Sequence, residues 1–153
     1  MARNRPEERR GGIEAVNFVY VDESRNLLHL IYVGTLDGRE AQRLFDTAKS
    51  ALAPLRRGFD ILADLRDLKE VKGDAVKIID RLMDLCNEHG VARIVRVVSG
   101  ETENFGFAIM SCFHYDQHVR FVTCLNLEDA VARLSAGKNS NRTPDTIRKP
   151  AKT

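Results

Sequence analysis

The sequence predicts an α/β fold, a four- or five-stranded mixed sheet with about four helices in the order β-β-α-β-α-β-α-β-α. Three observations predict it. Short β-branched runs alternate with longer runs whose apolar residues recur at helical spacing. Capping residues, glycine or proline separate them. The first two runs are joined only by Asp22, Glu23, Ser24, Arg25 and Asn26, whereas each later pair of strands has a helix between its members. The opening pair is therefore an antiparallel hairpin, and the later strands run parallel with right-handed crossovers.

Residues 18–21 and 27–33 form the hairpin. Asp37 opens the first helix as its N-cap, with Glu40 three residues on in a capping-box arrangement. Ala41, Leu44, Phe45, Ala48 and Leu52 make its buried stripe, and Pro54 and Gly58 end it. Residues 59–65 are the third strand, with Phe59, Ile61, Ala63 and Leu65 on one face and Asp60 and Asp64 on the other. A charged loop leads to a helix over 74–89. Val76, Ile79, Met83 and Cys86 form its stripe, widened by Ile78, Leu82 and Leu85, and Gly90 is placed for a left-handed C-terminal cap. Residues 93–98 form the fourth strand. Phe105, Ile109, Cys112 and Phe113 mark a third helix, and residues 121–125 the fifth strand. Leu127, Ala130, Val131 and Leu134 mark a last helix capped by Asn126.

At 153 residues the chain makes one domain, and 43% hydrophobic residues supply its core. Net charge is +2, but residues 1–12 alone carry +2 and residues 135–153 carry +4, so basic ends flank an acidic body. The ends are too polar to offset ordering entropy and are expected to be disordered, leaving a folded domain over 13–134. No aromatic residue is interleaved with their charges for base stacking, which argues against nucleic acid as a partner. No apolar run approaches the ~20 residues of a membrane span, and the N-terminal charges have no apolar stretch behind them. A cytoplasmic location is expected. Cys86, Cys112 and Cys124 are odd in number, form no Cys-x-x-Cys pair and read as small buried hydrophobes.

Three candidate chemistries are weak. Asp22, Glu23, Asp64 and Ser99 stand where a phospho-accepting receiver domain places acidic and hydroxyl groups. A strand follows Asp22 instead of a helix, however, and Cys124-Leu125-Asn126-Leu127 lacks the receiver lysine. Cys112, His114, Asp116 and His118 alternate, but in no recognised zinc spacing, so no metal is expected. His29 in its apolar strand reads as a hydrogen-bonded histidine, and His89 as a cation favoured at a helix C-terminus. No Gly-x-Ser-x-Gly, phosphate-binding loop or dinucleotide fingerprint occurs, so neither catalysis nor a cofactor is expected.

The two-strand opening, the exit Val33-Gly34-Thr35-Leu36 into a helix, and the segment ILADLRDLKEVKGDAV resemble a STAS domain, the anti-sigma factor antagonist family. The resemblance covers the order of elements over 16–134. In that family a strand ending in Asp-Leu and a short hydrophobic turn lead to Asp-Ser-Ser-Gly or Asp-Ser-Ala-Gly at a helix start. Aligned without gaps, Lys72 falls on the motif aspartate, Gly73 on its first serine and Asp74 on the phosphorylated position. No Ser, Thr or Tyr occurs between Ala51 and Val98, so the phosphoacceptor is missing. The resemblance implies a non-enzymatic regulatory module whose partner is an anti-sigma factor or a kinase-like protein.

For Asp74 two readings stand. It caps the second helix at a worth of ~1 kcal/mol, or it stands in for a permanent phosphate with one charge where phosphate carries nearly two. The partner-binding candidates are Asp67, Lys69, Glu70, Lys72, Gly73, Asp74 and Lys77. The alternative is a module of the same fold that binds a small apolar ligand or a nucleotide, with Phe105, Phe107, Ile109, Met110 and Phe113 lining a pocket between the third helix and the sheet.

Overall fold

The computed structural model describes residues 17–99 and 119–140. Strands β1 (Phe18–Asp22) and β2 (Leu27–Leu36) form the expected antiparallel hairpin, with Tyr20 opposite His29. Asn26 closes the turn at φ 55°, a left-handed conformation that asparagine tolerates. Its side chain explains its burial: Nδ2 donates to the Arg56 carbonyl at 3.1 Å, and Oδ1 accepts from the Arg56 amide at 2.8 Å. One amide group thus ties the hairpin to the loop that leaves the first helix.

Helix α1 (Gly38–Leu52) returns the chain to β3 (Asp60–Val71), α2 (Gly73–His89) to β4 (Arg93–Val97), and β5 (Arg120–Cys124) leads into α3 (Leu127–Ser140). The strands lie side by side in chain order, β1 antiparallel and the others parallel, in one five-stranded mixed sheet. Helices α1 and α2 cover one face. Leu44, Leu52, Leu82 and Met83 pack there on Leu28, Leu30, Ile61 and Leu65. On the other face, Ala130 and Leu134 of α3 pack on Leu62, Val95, Val97 and Cys124. Arg81 lays its guanidinium 5.2 Å over the Phe45 ring and joins α1 to α2 at the surface.

The expected caps form where the chemistry is local. Asp37 accepts the Glu40 amide at 2.8 Å, and Asn126 accepts the Asp129 amide at 2.8 Å. Gly90 adopts φ 97° and, with Val91, hydrogen-bonds back to the Cys86 carbonyl, closing α2 as expected. The Glu40 carboxylate accepts from Asn17 at 3.1 Å and Arg43 at 2.6 Å, so it serves the start of β1 and its own helix surface. His89 places Nε2 3.1 Å from the Leu55 carbonyl, with its ring edge-on to Phe59.

Several boundaries differ from the sequence reading. The largest difference is β3. The stretch taken as a loop after Leu65 continues as strand to Val71, because β2 also continues, to Leu36, and the two remain hydrogen-bonded. Leu68, 2% exposed, anchors the extension in the core between the exposed Asp67 and Lys69. Register shifts fall after Ile31 and after Gly34, the latter at φ 71°, a conformation glycine adopts readily. In α2 the buried stripe starts at Ala75 and continues through Ile79, Leu82, Met83 and Cys86, leaving Val76 half-buried. Helix α3 runs to Ser140, past the last residue of its apolar pattern, Leu134. The expected third helix falls outside the described residues.

Candidate functional site

The ends of β3 and β2 and the starts of α2 and α1 converge at one corner of the fold. Beyond Asp64, β3 pairs with β2 alone among the described residues, since the β3–β4 ladder covers only Asp60 to Asp64. All seven partner-binding candidates lie along this ribbon and the helix that follows it. Asp67, Lys69 and Glu70 sit on β3, Lys72 at the N-cap position, and Gly73, Asp74 and Lys77 on α2. Each is exposed, while Leu68 and Ala75 between them are buried. Glu70 and Lys72 pair at 3.4 Å with both side chains 52% exposed, a pair worth at most about 1 kcal/mol.

Asp74 is not the cap of its own helix. Lys72 holds the N-cap position in extended backbone, and no side chain caps α2 there. Asp74, the second residue of α2, accepts the backbone amide of Gly38, the first residue of α1, at 3.1 Å. The carboxylate therefore caps the neighbouring helix. Sequence reasoning missed Gly38. The only signal for it was a glycine directly after an N-cap, and a helix start accommodates glycine for many reasons.

The receiver-like constellation does not assemble. Asp22 flanks Leu27, which pairs with Asp60 at the start of β3, whereas Asp64 pairs with Val97 at the far end of the parallel strands. Asp22 is held below its usual value by the Ser24 hydroxyl, 2.8 Å away, and by Arg25. Burial would raise Asp64, but Arg66 outweighs it. The Arg66 guanidinium donates bidentately at 2.9 and 2.7 Å, its backbone amide adds a third bond at 3.2 Å, and the carboxyl is lowered overall. Both carboxylates already have partners within the chain.

His29 departs from its expected role. Its Nε2 is shielded from solvent and has no hydrogen-bond partner. Burial lowers its affinity for a proton, the Asp64 carboxylate opposes this, and Arg66 adds to it. The Cys86 thiol is buried among apolar residues and pushed up to about 12, and burial also raises Cys124, so both are inert small hydrophobes as expected. Cys112, His114, Asp116 and His118, and the pocket candidates Phe105, Phe107, Ile109, Met110 and Phe113, lie outside the described residues. A cavity of about 310 Å³ does occur among the described residues, on the α3 side of the sheet, where Tyr20, His29 and Leu62 face Leu127, Val131 and Leu134 of α3.

Among the described residues no helix is long and apolar enough to cross a membrane. No family model matches the chain, and no curated protein matches it. Solved structures do. A DUF3478-family protein with a SpoIIAA-like fold from Shewanella loihica aligns at TM-score 0.61 and 19% identity, over 78% of this chain and 94% of that one. The anti-sigma factor antagonist SpoIIAA in its unphosphorylated form aligns at TM-score 0.53 and 14% identity, over 78% and 98%. A chain in the complex of the diguanylate cyclase SiaD with its activator SiaC, from Pseudomonas aeruginosa, aligns at TM-score 0.51 and 12% identity, over 72% and 93%. The fold is thus STAS-like, of the SpoIIAA type, as the order of elements predicted.

Proposed function

We propose that this chain is a non-catalytic regulatory module that binds a partner protein through the end of β3 and the first turn of α2, and that serine phosphorylation does not switch it. One observation carries the reading. Six charged residues and Gly73, between Asp67 and Lys77, are exposed along the end of β3 and the start of α2, and their charges support no core. Known proteins of this fold support it, since SpoIIAA is an anti-sigma factor antagonist and SiaC is the activator in complex with SiaD. The missing hydroxyl between Ala51 and Val98 supports the absence of a serine switch. An anti-sigma factor or a kinase-like regulator in the cytoplasm is the partner type this reading favours.

The test is affinity capture from the source organism with the full chain and with Lys72→Glu side by side. The variant should fold normally, within about 0.5 kcal/mol, because an exposed charge lies outside the mechanisms that destabilise strongly. It should lose the partner that the unaltered chain retains. Equal capture by both would move the binding surface elsewhere, and an unfolded variant would make the ribbon structural.

A second reading, binding of a small apolar ligand, is favoured by the cavity between the sheet and α3. Its volume of about 310 Å³ falls within the range of small-molecule sites, and its lining is largely apolar.

A further inference from the structure

The segments that enter α1 and α2 run side by side. The β2–β3 ladder ends with Leu36 opposite Val71, and the Lys72 amide then donates to the Leu36 carbonyl at 2.9 Å. Two residues further along each segment, the Gly38 amide donates to Asp74 Oδ1 at 3.1 Å. A side chain thus extends the sheet's hydrogen bonding into the two helix starts.

The chemistry of this bond is specific to its place. A helix start leaves its first amides without intrahelical acceptors. Asp37 accepts the Glu40 amide, and Asp74 supplies an acceptor for the Gly38 amide. The carboxylate lies in the first turn of α2 and against the first amide of α1, so it faces the positive ends of two helix dipoles.

The space around Gly38 shows how closely the carboxylate is seated. A Cβ added there would stand 2.7 Å from Asp74 Oδ2 and 2.9 Å from Cγ, closer than real Cβ contacts allow. Gly38 and Asp74 are therefore a matched pair, since the carboxylate occupies the space that any other side chain at position 38 would need.

We propose that Asp74 is a positioning residue of the partner face, a latch that holds the first turn of α2 against α1 so that the face is set in one arrangement without covalent modification. This rests on the reading of residues 67–77 as a partner surface and states how that surface is regulated. The charge at the position aligned with the family's phosphoserine is engaged inside the chain. The partner meets the neighbouring charges, Lys72 and Lys77 among them, on a fixed pair of helix starts.

Amide hydrogen exchange on the full-length chain, read by NMR, tests the latch without a partner. In Asp74→Ala and in Gly38→Ala the amide at position 38 should exchange about fivefold faster, which at 1.4 kcal/mol per tenfold is the ~1 kcal/mol net worth of one hydrogen bond. Asp74→Asn keeps an acceptor oxygen and should retain most of the protection. The double variant Gly38→Ala/Asp74→Ala should exchange no faster than either single variant, because both break one bond. Unchanged exchange in Asp74→Ala, loss of protection in Asp74→Asn equal to that in Asp74→Ala, or single effects that multiply in the double variant would each overturn the latch. Should Asp74→Ala fail to fold, Gly38→Ala and Asp74→Asn decide alone: faster exchange in the first and protection in the second support the latch, and any other combination rejects it. The two readings fail separately. Lys72→Glu that keeps the partner while the position 38 amide stays protected rejects the partner face and leaves the latch standing.

Discussion

Removing the guanidinium of Arg93 should cost more stability than any change on the charged surface. Arg93 lies in β4 and Asp60 beside it in β3, with side chains only 8% and 9% exposed. Nη2 and Nε of Arg93 hold the two carboxylate oxygens at 2.8 and 3.3 Å. The same guanidinium donates to the Arg133 and Leu134 carbonyls of α3, both at 3.1 Å. One side chain thus joins two strands and the helix on that face. Arg93→Met keeps an apolar stem of similar length and removes all four bonds. It strands a buried carboxylate and two helix carbonyls, at a cost of about 3–5 kcal/mol. For a chain of this length, at about 3 °C per kcal/mol, the melting temperature should fall by roughly 10–15 °C.

Thermal and urea unfolding at neutral pH measure the effect. Adding Asp60→Leu should restore most of the loss, because a buried ion pair replaced by well-packed apolar residues is often neutral. A single-variant fall below about 3 °C would show that Asp60 regains water and that the pair does not hold α3. A double variant worse than Arg93→Met alone would show that the stranded charge was not the cause.

Two further predictions concern the same side of the sheet, the one that α3 covers. Burial holds His29 below its ordinary 6.5, so below that value the unfolded chain binds the extra proton first. The stability that the neutral imidazole allows is therefore full above pH 6.5 and declines as pH falls from there toward the folded-state value. Urea midpoints from about pH 8 to pH 5 should show this slope, and His29→Phe should flatten it; a parent chain that gains stability on acidification refutes it. The ligand reading predicts that 8-anilinonaphthalene-1-sulfonate shifts the resonances of Tyr20, Leu62 and Val131 around the cavity, and a titration that leaves them unmoved removes that reading.

Much of this arrangement was legible along the chain because it depends on neighbours. The hairpin follows from a five-residue polar joint, and the Asp37 and Asn126 caps act on amides three residues away. Gly90 ends α2 through bonds to Asn87 and Cys86, which are equally close. The parallel order of β2, β3 and β4 follows from the alternation of strand and helix, since each helical crossover returns the chain to the same edge direction. The exposed charges of the candidate face were also readable, because a stretch with so few apolar residues has little to bury.

What the chain alone could not determine involves groups far apart in it. Strand β3 reaches Val71 because β2 supplies hydrogen-bond partners up to Leu36, and no local pattern in the charged run Arg66 to Lys72 reveals that. Asp74 reads locally as a cap of its own helix, yet its acceptor oxygen serves Gly38, 36 residues earlier. Asp60 and Arg93, 33 residues apart, each read as a charge on a strand until pairing in register makes them a buried ion pair. The physical reason is common to all three. Periodicity and capping are set by backbone geometry within a few residues, whereas the partner of a carboxylate is set by which strands lie side by side, and only the folded sheet decides that.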